Sequence, residues 1–286
     1  MTTENKFGKV SRLEIRSECK DGETILRDVA FTAPYKVMTP FKKANGGISV
    51  MPLCASAGIM NGDRQEFVYH VGEGSNLEML SQSFEKIHKM DEGGFAERKI
   101  EAVVEKNSVF YYYPQPVIPF AESAFDSVMD IQLEDESAKL FLVEVIACGR
   151  SAREEQFQYR RFATKTEIRR GGKLIYRDNT RFEPATMPMT ELGMYEGYTH
   201  VGNIFMTVTD EEVRRKLKDN IWSVLNGENL VGSQSGIAIE NDESIHIDMI
   251  DGGVTELADG DLAIRVFANR AQVIQDFADK VKEIFG

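Results

Sequence analysis

Apolar and polar residues alternate with a period of two through most of the chain. Leu13-Glu14-Ile15-Arg16 sets this pattern, and Lys20-Asp21-Gly22 turns it into residues 24–31, which predicts an opening hairpin. Pro34 and Pro40 frame a short irregular segment, and a strand is predicted over residues 48–53. Three later places repeat one arrangement of strand, polar turn carrying a serine, and strand. Their serines, Ser75, Ser108 and Ser137, are 33 and 29 residues apart. A loose period near 30 predicts stacked β units that bury one another's faces, and a β-sandwich with similar turns is the alternative.

Residues 140–148, Leu-Phe-Leu-Val-Glu-Val-Ile-Ala-Cys, are apolar on both faces and predict a strand covered on both sides. Glu144 is the exception, on the face of Leu142 and Ile146. Gly171-Gly172 between two strand patterns is a two-residue hairpin signal. A loop rich in Met and Pro covers residues 184–195, and a strand containing His200 is predicted over 198–208. The period then changes. Thr209-Asp210-Glu211-Glu212 is a capping box ahead of Val213, Leu217, Ile221 and Val224, with Gly227 just beyond. Strands at 245–250 and 262–267 precede a last helix over 270–285, whose apolar stripe is Val273, Ile274, Phe277, Val281 and Ile284.

Composition narrows the function classes. The 286 residues are 42% hydrophobic and 28% charged, within the globular range. No apolar run approaches the ~20 residues of a membrane span, and the start of the chain lacks a signal-peptide core, so a cytoplasmic protein is expected. Cys19, Cys54 and Cys148 form no Cys-x-x-Cys, so neither a zinc knuckle nor a disulfide framework is indicated. A net charge of −12 argues against nucleic acid and fits a cation-handling protein, although many soluble proteins are as acidic. Gly171-Gly172-Lys173 lacks the other parts of a phosphate loop. Gly232-Ser233-Gln234-Ser235-Gly236 centres on Gln, so it is no nucleophile elbow. Nothing here makes a positive case for an enzyme.

Metal binding is the remaining question. His70, His88, His200 and His246 are far apart in sequence. Glu85-x-x-His88 offers two ligands on one face if that segment is helical, and His70 alternates with Val68 on a strand, where a structural role is expected. Glu144 is the sharper residue, because a carboxylate in an apolar strand needs a partner or water. It is either half of an internal ion pair, with Arg150 as candidate partner, or an acid lining an internal watery route.

Three motifs in order point to a family. The first runs from Gly58-Ile59-Met60-Asn61-Gly62-Asp63 to Ser81-Gln82-Ser83-Phe84-Glu85-Lys86, and matches at Gly58, Gly62, Asp63, Ser81, Gln82 and Lys86. The second is the aromatic and proline-rich segment from Phe110 to Phe120, containing Pro114, Pro116 and Pro119. Its prolines predict an edge or a rigid crossover, serving either as an interface or as a stiff connector. The third is Gly149, Arg150, Glu155 and Phe157. Together they resemble the UreD/UreH urease accessory proteins. The resemblance spans about residues 31–184 and is thin beyond.

That resemblance implies a mostly β fold of stacked, β-helix-like layers with two α-helices in the C-terminal third. A single domain over 1–286 is expected, with a β body at about 10–208 and a strand–helix part at about 209–286. It also implies a non-catalytic scaffold for urease maturation. Its partners would be the urease apoprotein, a helical UreF-type protein and a UreG-type GTPase, in a dimer of heterodimers. No cofactor is tightly bound; nickel(II) passes through. Asp63 and Glu144, and more loosely Asp178, are the acids expected to line the passage. Oxygen ligands that hold nickel weakly suit transit, whereas clustered thiolates would trap it. The competing expectation is a β-solenoid carbohydrate-active enzyme using Asp63 with Glu144 or Glu155 as its carboxylate pair.

Overall fold

The computed structural model describes residues 10–226 and 250–285. Strands dominate, and they stack as the serine spacing predicts. In one sheet the strands Val10–Lys20, Arg64–Val71, Ala96–Val104, Ala124–Leu133 and Arg161–Arg170 run parallel, with antiparallel Glu23–Phe31 and Lys173–Phe182 at the two edges. Arg64 lies beside Glu97, and Glu97 beside Asp126, so successive layers are offset by the same 33 and 29 residues as the serines. The turns stack too. Val109 N donates to Ser75 O and Lys139 N to Ser108 O, both at 2.8 Å, and Asn107 N donates to Ser137 Oγ, also at 2.8 Å.

Each turn carries the chain into a second sheet, where Ile48–Val50, Asn76–Leu80, Val109–Tyr113 and Lys139–Ala147 are parallel neighbours. Antiparallel His200–Met206, Leu262–Ala268 and Asp251–Glu256 extend it. The facing sides of the two sheets enclose one core, with Phe67, Tyr69, Ile100 and Ile131 against Leu77, Phe110, Tyr112 and Leu142. The other side of the second sheet packs under two helices, α1 (Glu211–Leu225) and α2 (Ala271–Phe285). This explains the two apolar faces of Lys139–Ala147: Leu142 points into the first core, and Phe141, Val143 and Val145 point into the second. Glu144 alternates with these toward the inter-sheet side.

Some expectations need correction. The segment after Ser81 is not helical; Glu85–Ile87 is a short strand paired with Val117–Pro119. The aromatic half of the second motif, Val109–Tyr113, is an interior strand, and only Pro114 to Pro116 form the crossover. Asp210, not Thr209, caps α1, accepting from Val213 N at 2.9 Å. A C-terminal strand falls at Asp251–Glu256, whereas most of the predicted strand 245–250 lies outside the described residues, as do residues 232–236 and His246. The Gly171-Gly172 hairpin forms, with both glycines at positive φ (55° and 82°).

Candidate functional site: carboxylates between the two sheets

The first motif builds the wall of a cavity. Gly58 (φ 148°) lies so close to the Lys86 carbonyl that a Cβ would sit 2.3 Å from its oxygen, so only glycine lets these two segments meet. Ile59 N then donates to Lys86 O, and His88 N to Ile59 O. Asp63 closes the turn by accepting from Met60 N at 2.7 Å. Ser81 Oγ accepts from Gln115 N at 2.6 Å, which ties the motif to the proline crossover. The result is a cavity of about 530 Å3 with Asp63, Gln65, Gln82 and Lys86 in its lining and exposed Ser56, Met60 and Phe84 at its mouth.

A second, smaller cavity of about 30 Å3 lies beside it between the sheets, large enough for a water molecule. Glu144, Ser127 and Thr164 line it. The two cavities share Glu85, Arg98, Tyr112 and Pro114. Arg98 is buried, ion-paired to Glu85, and donates from Nε and Nη2 to Gln65 Oε1 at 2.9 and 2.6 Å. Its guanidinium stands 5.0 Å from the Phe67 ring centroid and 5.5 Å from that of Phe125. Burial opposes its charge, Glu85 more than offsets this, and its pKa is raised.

Glu144 does not pair with Arg150. Thr166 Oγ1 stands 3.5 Å from its Oε2, at the limit of a hydrogen bond. The carboxyl lines the small cavity between the sheets, where it is poorly solvated. Burial, with Asp178 adding to it, pushes its pKa from 4.5 to about 7. Asp178 lies opposite Thr166 on the neighbouring strand and accepts from Arg265 Nη2 at 3.0 Å and Thr180 Oγ1 at 2.8 Å. Arg265 is half-exposed and also donates to Asn203, which lies opposite Glu144. Glu144, Asp178, Asn203 and Arg265 therefore form one polar cluster reaching from the interior to the surface.

The third motif is architectural. A Cβ on Gly149 (φ 132°) would sit 2.1 Å from Glu155 O. Arg150 clasps Glu155 through two bonds of 2.7 and 2.5 Å and lies 3.9 Å over the Phe120 ring. Phe157 packs edge-on against Tyr195. Glu155 is thus engaged, and Asp63 and Glu144 line different cavities with the Arg98–Glu85 pair between them. The carboxylate-pair expectation draws no support from this arrangement. Nor do the described histidines share a site. His70 bonds Glu105 at 2.6 Å, His88 lies 3.1 Å from Ala57 O against the Phe120 ring, and His200 is 2.8 Å from Thr199 Oγ1, with burial lowering its pKa to about 4. Glu85 pairs with Arg98, so the Glu85–His88 ligand pair is not formed. Among the described residues no three His, Cys, Asp or Glu side chains cluster as a metal site. No described helix is long and apolar enough to cross a membrane.

Sequence reasoning overlooked Arg98 and Gln65, although each betrays itself by parity. Arg98 shares the inward face of Ala96, Ile100 and Ala102, and Gln65 that of Phe67 and Tyr69.

Comparison with known proteins agrees with the motifs. The family model for UreD urease accessory protein matches residues 9–285. A urease accessory protein UreH from Helicobacter acinonychis is 33% identical over 285 residues, covering 99% of this chain and 97% of the relative. A urease accessory protein UreD from Acetivibrio thermocellus is 36% identical over 211 residues, covering 72% and 80%. One from Actinobacillus pleuropneumoniae is 26% identical over 267 residues, covering 92% of each. With its stacked β layers, its ordered motifs and a family match across nearly its whole length, the chain belongs to the UreD family of urease accessory proteins.

Proposed function

We propose that this protein is a non-catalytic scaffold of urease maturation that passes nickel(II) through its interior to apo-urease. The observation that carries the reading is the run of two cavities between the sheets, with Asp63 along the first, Glu144 along the second and Asp178 beside Glu144. Carboxylates and hydroxyls bind nickel more weakly than thiolates, so such a lining lets an ion enter and leave. Glu144 suits this role because a poorly solvated carboxyl near neutrality gains from a cation arriving beside it. Asp63 and Glu144 accept only from a backbone amide and a distant hydroxyl, whereas Asp178 is paired with Arg265, and the ion needs no resident site. In this reading the protein works in the cytoplasm. It binds a helical UreF-type partner and, through it, a UreG-type GTPase that supplies the ion, in a dimer of heterodimers.

The assembly is tested by co-purification. Tagged protein expressed with the urease operon is expected to bring down apo-urease, the helical partner and the GTPase together. Recovery of the tagged chain free of urease, under conditions where all the components are soluble, would reject the scaffold.

A further inference from the structure

The two cavities of the passage meet at a positive charge. Arg98 lines both cavities, and guanidinium does not lose its proton under working conditions. At rest Glu85 and Gln65 bind it, and it stands over the Phe67 and Phe125 rings. A divalent cation moving from Asp63 toward Glu144 meets this charge in a poorly screened interior, where repulsion is far larger than in water. Glu85 is also the one carboxylate that lines both cavities. It sits on a strand of only three residues, Glu85–Ile87, at the border of the sheet path.

Given the passage proposed above, on which this rests, we infer that Arg98 and Glu85 form a charge gate. Glu85 exchanges the guanidinium for the incoming divalent cation, and Arg98 swings aside as the cation crosses. The pair blocks the route at rest and opens only when a cation competes for Glu85. Specificity for a divalent ion follows, because a monovalent one gains too little at Glu85 to displace a bidentate-capable guanidinium.

A gate and a purely structural ion pair predict different signs. The experiment is a timed transfer of nickel into apo-urease by the complete accessory complex, with each variant's unfolding midpoint measured in parallel. Arg98→Gln removes the repulsion and is expected to raise the initial transfer rate by about tenfold. Glu85→Gln removes the exchanging acid, leaves Arg98 in place, and is expected to slow transfer by a similar factor. A structural pair predicts that both variants fall together, in proportion to lost folded protein. Should Arg98→Gln fold poorly, the double variant Glu85→Gln/Arg98→Gln leaves no unpaired charge and has no ion pair to open. It is expected to transfer faster than wild type. If neither Arg98→Gln nor the double variant is faster, the gate is wrong. Glu144→Gln and Asp63→Asn separate the two levels: nickel-poor urease with unaccelerated Arg98 variants rejects the gate alone, and nickel-replete urease from both rejects the passage with it.

Discussion

Glu144→Gln is expected to raise the unfolding free energy at pH 8 by up to about 3 kcal/mol and to leave it unchanged near pH 4. The sign follows from where the proton sits. Burial and Asp178 lift the folded-state pKa from 4.5 to about 7. Below 4.5 the carboxyl is protonated in both folded and unfolded chains and costs nothing. Between 4.5 and 7 the unfolded chain ionises while the folded chain keeps its proton, so stability falls as pH rises. Above 7 the full cost is present. Glutamine carries no charge at any of these values, keeps the side-chain volume, and retains Thr166 and the cavity as polar surroundings. Urea unfolding of both proteins at the two pH values checks this. Equal differences at pH 4 and pH 8 would mean that folding leaves the Glu144 pKa unshifted, and a variant less stable at pH 8 would mean that Glu144 is charged and held by a partner.

Phe277→Ala is expected to lower stability by about 3–5 kcal/mol, because it empties a well-packed core position. Phe277 is 3% exposed on α2, in a buried stripe with Ile274, Ala278 and Val281 against Val143, Val145 and Ile264 of the second sheet. Polar contacts fix the same helix: Tyr113 Oη donates to Gln275 O at 3.0 Å, and Lys282 pairs with buried Glu78. Ile284 is 40% exposed at the far end of the apolar stripe read from sequence, and Ile284→Ala should change stability by less than about 1 kcal/mol. Denaturant titrations of the two variants decide the matter. Similar costs for both would mean that α2 rests loosely on the sheet rather than completing its core.

The layered architecture was legible because stacking imposes a length on every coil. Ser75, Ser108 and Ser137 repeat at the same offsets as the strands they join; the Ser75 and Ser108 carbonyls accept from the next layer and the Ser137 hydroxyl from the preceding one. The two-sided covering of residues 140–148 was legible from composition alone. Glu144 stood out for the same reason, as the one charge in an apolar run. Arg98 escaped notice because its strand carries charges on the outward face, and an inward arginine among Glu97, Lys99 and Glu101 shows only in the parity.

Pairing was less legible than placement. Arg150 lies close to Glu144 in sequence, yet the left-handed Glu154 turns the chain back and delivers Glu155 to it instead. Glu85 and His88 have helical spacing, but hydrogen bonds from the Ile59 and Pro116 segments draw the chain between them into a strand. In both cases contacts distant in sequence chose the partner, and no local pattern encodes them. The meeting of two cavities at Arg98 and Glu85 has the same origin, since it joins three separate strands and the proline crossover.

The most direct test of the central claim is the nickel content of urease matured by the complete complex carrying Glu144→Gln or Asp63→Asn. Metal analysis should follow confirmation that each variant folds and assembles with its partners as wild type does. Passage between the sheets predicts intact assembly and urease that is poor in nickel. Urease with the wild-type nickel content in both variants would contradict it.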